Sequence, residues 1–253
     1  MIELLDATVT VWAAGHDTGA PGAPSEHVVT LLEPTTLRLT ERRVAVVGAN
    51  GSGKSTLARL VNGLVLPSAG SVLVDGLDTA RDGAAVRRRV GFTFTDPDAQ
   101  IVMPTPREDV ALSLRRLGLP AAERDARARD VLTRYGLGDR AEVPVHALSG
   151  GQKQLLALAT VLATEPAVLV CDEPTTLLDL RWRRAVDALL DGLDLQLLQV
   201  THDLDAARRA DRVLVVDGGA VVADGAPDEA VDHYVALMTG RPLRVGDRPG
   251  GHP

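Results

Sequence analysis

Patterning along the chain points to an α/β fold, with an antiparallel β layer at the front and a helical insertion in the middle. Three features carry this reading. An apolar strand, a glycine loop and an amphipathic helix follow one another between Arg42 and Leu66. Ile2 to Val11 and Thr36 to Leu39 alternate and are rich in Thr, Val and other strand formers. From Pro106 to about Glu165, Ala, Leu and Arg recur at helical spacing before short apolar strands resume.

Taken in order, Ile2 to Val11 and Thr36 to Leu39 are expected to pair as antiparallel strands. A Gly/Ala/Pro loop from Ala13 to Ser25 lies between them, with His16 and His27 as exposed loop histidines rather than metal ligands. Val44-Ala45-Val46-Val47 reads as a buried parallel strand, and Ser55 to Leu66 as a helix. Ser71 to Val74 with Asp75-Gly76 forms a further strand and turn. In the helical stretch, Gly136, Gly138 and Pro144 mark breaks. Val168 to Cys171, Leu197 to Val200, Val213 to Val216 and Val221 to Ala223 are the later strands, with helices between the early pairs. Gly240 to Pro253, rich in Pro, Gly and Arg, is expected to be disordered.

Composition narrows the function. At 253 residues and 45% apolar content the chain can bury one large core. Its longest apolar runs fall far short of the roughly 20 residues that cross a bilayer, and no signal pattern precedes Ile2, so a cytoplasmic location is expected. One cysteine, Cys171, excludes a disulfide framework and a cysteine zinc site within the chain, and its apolar strand makes it a small buried filler. A net charge of −7 and six scattered aromatics argue against a nucleic-acid partner, and Arg87-Arg88-Arg89 reads as a solvated helix end.

Of 27 basic residues only Lys54 and Lys153 are lysines, and Lys54 stands in Gly48-Ala49-Asn50-Gly51-Ser52-Gly53-Lys54-Ser55, followed by Thr56. This is a complete G-x-x-x-x-G-K-S phosphate loop. Glycines let successive backbone N–H groups converge on an anion, a compact ammonium reaches between phosphate oxygens where a planar guanidinium would not, and the Ser55 hydroxyl suits Mg²⁺. The following helix adds its N-terminal partial charge. A nucleotide held there still needs a metal ligand and an activated water. Asp172 and Glu173 emerge at the carboxyl end of the strand Val168 to Cys171, where one carboxylate can serve the metal and its neighbour the water.

Leu148-Ser149-Gly150-Gly151-Gln152 resembles the LSGGQ signature of ABC-type ATPases, and it lies between the phosphate loop and Asp172-Glu173, as theirs does. The resemblance spans about residues 2 to 240. It implies a P-loop NTPase of the ABC nucleotide-binding type, with ATP and Mg²⁺ as ligands and a RecA-like core at about 1–95 and 166–225. It further implies a helical subdomain at about 97–165 within a domain covering 1–240, leaving 241–253 as a tail. Ser149, Gly150, Gly151 and Gln152 would form a second anion nest that closes over nucleotide held by another subunit, so the resemblance implies a dimer. Asp179 falls at the family's D-loop and His202 at its switch histidine, with Glu173 as base. Trp12 is the candidate for adenine stacking, although strict alignment places Val11 there and a core-filling role is the alternative.

Val90 to Thr105 looks like the Q-loop region of energy-coupling-factor ATPases, which energise uptake of vitamins and of cobalt or nickel. Their F-Q-N-P-D-x-Q-I-V-x-P-T reads Phe94-Thr95-Asp96-Pro97-Asp98 here, so Thr95 replaces the glutamine that reaches the metal, while Gln100 is assigned to the coupling surface. The Thr-Asp-Pro-Asp variant is similar to that of biotin transporter ATPases. The resemblance therefore implies an ATPase on the cytoplasmic face of the membrane. Its partners would be an integral scaffold, a substrate-binding membrane component and a second ATPase, identical or paralogous. The alternatives are the ATPase of a conventional importer, a soluble ABC ATPase of iron–sulfur assembly or DNA maintenance, or a module made inactive by Thr95. The last would be expected to have lost Glu173 or His202 as well.

Overall fold

A computed structural model describes residues 1–14 and 26–240. Its elements are β1 (Ile2–Ala14), β2 (Glu26–Leu39), β3 (Arg43–Gly48), α1 (Lys54–Val61), β4 (Ala69–Val74), β5 (Leu77–Asp78), α2 (Gly83–Arg89), β6 (Val90–Thr93), α3 (Pro106–Ser113), α4 (Ala121–Arg134), α5 (Gly150–Leu162), β7 (Val168–Asp172), α6 (Leu180–Gly192), β8 (Gln196–Val200), α7 (Leu204–Arg208), β9 (Arg212–Asp217), β10 (Ala220–Gly225) and α8 (Pro227–Thr239). The chain forms two compact units: Met1–Val86 with the part that starts at Ala207, and Arg87–Ala206.

In the first unit β1 pairs antiparallel with both β2 and β4, and β5 returns on β4 after the Asp75-Gly76 turn. The burial of β1 switches phase along its length. Ile2 and Leu4 are buried, then Ala7 and Val9, because an extra residue at Asp6 (φ 52°) bulges the strand and keeps its apolar side chains facing inward. The bulge needs Gly70 beside it, since a Cβ there would lie 2.2 Å from the Asp6 carbonyl oxygen. β9 pairs parallel with β3 and antiparallel with β10. Arg212 ties this region together by donating to Asp224 at 2.5 and 2.6 Å, to Glu41 at 3.1 Å and to the Arg38 carbonyl at 2.9 Å.

Two expectations change here. The second strand starts at Glu26 rather than Thr36, so His27 is an exposed strand residue, not a loop histidine, and Ala13 and Ala14, expected in the loop, end β1 opposite His27 and Glu26; His16 and residues 15–25, like the 241–253 tail, lie outside the described residues. The helix after the phosphate loop stops at Val61 instead of reaching Leu66. Asn62 accepts from the Leu64 N–H, Gly63 takes φ 70°, and Leu64 and Leu66 are about half exposed.

The second unit holds the parallel strands β6, β7 and β8, with β7 central. All of β7 is buried, as expected of a strand covered on both faces, and Cys171 is fully enclosed. α5 serves two cores. Leu158 and Leu162 pack with Leu169, Cys171, Val186 and Leu197. Leu156, Ala159 and Ala163 pack with Val110, Leu114, Val131 and Leu132 of the helical stretch. α5 approaches β6 so closely that a Cβ at Gly91 would lie 2.3 Å from Val161. Arg87, Arg88 and Arg89 close α2 and are exposed. Among the described residues no helix is long and apolar enough to cross a membrane.

Candidate active site

In the first unit, the turn from β3 to α1 is built on glycines in positive-φ conformations. Gly51 (φ 76°) and Gly53 (φ 104°) take conformations that side chains resist. A Cβ at Gly53 would sit 2.7 Å from the Leu31 carbonyl oxygen, and one at Gly48 would sit 2.1 Å from that of Val216. The loop is pinned from outside by Gly219, whose N–H donates to the Ser52 carbonyl at 2.9 Å. Asn50 and Gly51 are exposed at its rim, and Ser55 and Thr56 open α1, half-buried. Lys54 is 4% exposed, and its ammonium donates to the Ala49 carbonyl at 2.7 Å, folding the side chain back over the loop. The Ser52 hydroxyl is buried and has no hydrogen-bond partner. A buried cation on a glycine loop that opens a helix, with an unpartnered buried hydroxyl in the same loop, fits a polyphosphate. Trp12 stands on β1 opposite Val28, 73% exposed, so it is a free ring face and not a core filler.

In the second unit, strand ends gather the carboxylates. Asp172 is 2% exposed at the end of β7, paired in register with Val200 of β8. Glu173 follows with φ 55°, an uncommon conformation for a non-glycine residue, and its N–H donates to the Val200 carbonyl at 3.0 Å. This turns its carboxylate toward the loop after β8, where Oε1 lies 2.9 Å from His202 Nε2 and Oε2 accepts from the Thr176 hydroxyl at 3.1 Å. A cavity of about 440 Å³ adjoins them, lined among others by Thr175, Thr201, His202 and Arg183. Thr95 Oγ1 donates to the Asp172 carbonyl at 2.9 Å, so its hydrogen is committed while its lone pairs remain. Gln100, expected on the coupling surface, joins two backbones: its Oε1 accepts from Phe94 N at 3.3 Å and its Nε2 donates to the Ala157 carbonyl at 3.0 Å.

Ser149 caps α5 in a reciprocal box with Gln152: Ser149 Oγ accepts from Gln152 N at 3.3 Å, and Gln152 Oε1 from Ser149 N at 2.9 Å. A Cβ at Gly150 would meet nothing within 4 Å. At Gly151 a Cβ would lie 2.1 Å from the Trp182 ring. The Trp182 backbone N–H in turn donates to Oδ1 of Asp179, the N-cap of α6, at 3.0 Å. Trp182, which sequence reasoning did not single out, thus links Gly151 to Asp179. Its one signal was position, three residues beyond Asp179 on a helix face. No hydrogen bond or ion pair joins Ser149 or Gln152 to Glu173 or His202 among the described residues. The second lysine, Lys153, pairs with Asp98 at 2.7 Å.

A family model described as ABC transporter matches residues 35–176. The chain belongs to the ABC transporter ATP-binding proteins. Several relatives agree with that assignment. This ABC ATPase is 55% identical, over 83% of its length and 92% of the relative's, to a putative ABC transporter ATP-binding protein of Deinococcus radiodurans. It is 46% identical to the biotin transport ATP-binding protein BioM of Rhizobium etli, covering 80% of this chain and 90% of that one. To the energy-coupling factor transporter ATP-binding protein EcfA1 of Symbiobacterium thermophilum it is 47% identical, over 80% and 74%. Its fold matches cbiO1 from Clostridium perfringens, part of the ABC transporter complex cbiONQ, with TM-score 0.74 and 29% identity over 94% of both chains. The ABC ATPase is therefore an ATP-binding and ATP-hydrolysing subunit of a transporter.

Proposed function

We propose that this ABC ATPase powers an energy-coupling-factor uptake transporter for a vitamin, biotin first, from the cytoplasmic face of the membrane. The observation that carries this is the segment Phe94-Thr95-Asp96-Pro97-Asp98, whose threonine is tied to the Asp172 carbonyl, in a chain 46% identical to a biotin transport ATPase. Cobalt or nickel, the other cargo class of the energy-coupling-factor ATPases that Val90 to Thr105 resembles, is the competing reading.

On this reading residues 1–240 form one nucleotide-binding domain, with the helical subdomain at about 97–165. The loop Gly48–Thr56 holds the phosphates and Trp12 offers a face to the base. Glu173 takes a proton from the attacking water, and His202, held on Glu173, donates toward the terminal phosphate. Ser55, Asp172 and the Thr95 lone pairs are the oxygens suited to Mg²⁺, which when bound supplies charge neutralisation at the phosphate oxygens. Ser149 to Gln152 and Asp179 face a second ATPase subunit, identical or paralogous, and ATP-driven closure of the pair moves the membrane subunits.

Affinity purification of the chain from detergent-solubilised membranes, with mass spectrometry of what accompanies it, tests the reading. A multi-spanning scaffold with a small membrane protein that binds biotin is expected. A small membrane protein binding another vitamin or a metal would reassign the cargo. An extracytoplasmic binding protein, or soluble partners only, would overturn the energy-coupling assignment.

A further inference from the structure

We propose that Arg183 is a positioning residue for His202, coupling the start of α6 at Asp179 to the loop that presents the imidazole. The inference rests on the reading that Glu173 and His202 act together in hydrolysis. Its geometry lies wholly within the second unit. Asp179 accepts from the N–H groups of Arg181 and Trp182 at 2.9 and 3.0 Å, and the Arg183 N–H closes the first turn on the Asp179 carbonyl at 2.9 Å. Arg183 is therefore fixed to the same turn as Asp179. Its guanidinium leaves α6 and pairs with Asp203 Oδ2, whose side chain is only 8% exposed.

Asp203 divides its carboxylate between two tasks. Oδ2 meets Arg183, while Oδ1 caps α7 by accepting from Asp205 N at 3.0 Å and Ala206 N at 3.2 Å. Its own N–H donates to the Thr201 hydroxyl at 2.9 Å, and Thr201 is 2% exposed. His202 thus lies between a buried threonine and a clamped aspartate, which leaves its ring facing Glu173. Burial alone would raise the Asp203 carboxyl pKa, but hydrogen bonds from Arg183 and then Ala206 override it and hold the group ionised below its usual range. Without Arg183, Oδ2 would face the cavity beside His202 without that cation, and only the α7 cap and the Thr201 bond would hold the loop.

A tie that merely held two helices together would lower the melting temperature and leave hydrolysis by the folded protein alone. A positioning residue does more, and its effect must pass through His202. The test is steady-state ATP hydrolysis and thermal melting of the full chain for wild type, Arg183→Ala, Arg183→Lys, His202→Ala and the Arg183→Ala/His202→Ala double variant. Arg183→Ala should lower kcat by ~10-fold to ~100-fold with KM for ATP nearly unchanged, and Arg183→Lys should restore part of it. In the His202→Ala background the arginine substitution should have no further effect on kcat. If His202→Ala hydrolyses like wild type, the Glu173–His202 reading fails and this inference falls with it. If His202→Ala is impaired but Arg183→Ala is not, or Arg183→Ala costs the same factor in both backgrounds, the positioning role alone is wrong. Should Arg183→Ala not fold, Arg183→Lys, which keeps the cation but loses the planar fork, carries the same comparison.

Discussion

Glu173 and His202 leave the ends of neighbouring parallel strands with Oε1 and Nε2 2.9 Å apart, and the Thr176 hydroxyl holds the other carboxylate oxygen. A carboxylate bonded at both oxygens is oriented before any ligand arrives. Glu173→Gln keeps the shape and loses the base. It should lower kcat by about 10²-fold to 10⁴-fold while ATP affinity persists, and ATP-bound dimers should accumulate on size-exclusion chromatography. Wild-type turnover in this variant would remove Glu173 from the mechanism. Thr176→Val frees Oε2 and should have a smaller effect on kcat.

The two adjacent signature glycines should behave differently. At Gly151 a Cβ meets the Trp182 ring, so Gly151→Ala should destabilise the chain by about 1–3 kcal/mol, and Trp182→Leu should recover part of the loss. Gly150 faces open space at the first position of α5, so Gly150→Ala should melt no lower than wild type and still impair hydrolysis if that face meets a nucleotide. Melting curves and ATPase rates on the same preparations separate the two. Equal loss of stability in both variants would refute the packing argument.

Cys171 is enclosed in β7, and burial pushes its thiol up to about 12, with the Asp172 charge adding to the rise. The thiolate is the reactive form, so the native protein should resist iodoacetamide at pH 8 and be labelled only after denaturation. Labelling of the native chain at the rate of a free thiol would mean that β7 opens readily.

Acid should destabilise the protein in a defined window. Glu41 and Asp203 are both held below their usual values of 4.5 and 3.8; in each, burial opposes the shift and hydrogen bonds override it, from its own backbone and Arg212 for Glu41 and from Arg183 for Asp203. When a folded-state pKa is depressed, the unfolded chain takes up the proton first. The stabilisation is therefore complete above the unfolded value and is lost as pH falls through the folded one. Denaturant midpoints should hold near neutral pH and decline below about pH 4.5. Arg212→Ala, which strips Glu41 and Asp224 of their shared cation, should cost about 2 kcal/mol at pH 7 and less at pH 3. A pH-independent loss would assign its effect to packing.

The parts of the molecule encoded by neighbouring residues were the legible ones. Gly48 to Ser55 announces a phosphate loop because its chemistry sits within eight positions, and β7 announces itself by an unbroken apolar run. The family emerged from Leu148 to Gln152 for the same reason. The early part of β2 was hidden because Glu33, Pro34 and irregular register interrupt its alternation, and its pairing with β1 comes from across a loop. α1 was overextended because Leu64 and Leu66 continue the apolar spacing beyond the turn at Asn62 and Gly63. Trp182 against Gly151, Arg183 with Asp203, and the Thr95 hydroxyl on the Asp172 carbonyl join residues 20 or more positions apart, where a linear pattern carries no signal.

The reciprocal cap between Ser149 and Gln152 bears on how fast two such subunits could engage. Both side chains are immobilised by the helix they begin, so this corner is already rigid in the lone subunit and need not be ordered during an encounter. The serine oxygen is occupied by the Gln152 N–H, but the hydroxyl hydrogen is not consumed by that bond. What the corner offers an arriving anion is therefore a donor on a fixed mount, and its rate of capture should follow diffusion and charge rather than a slow local rearrangement.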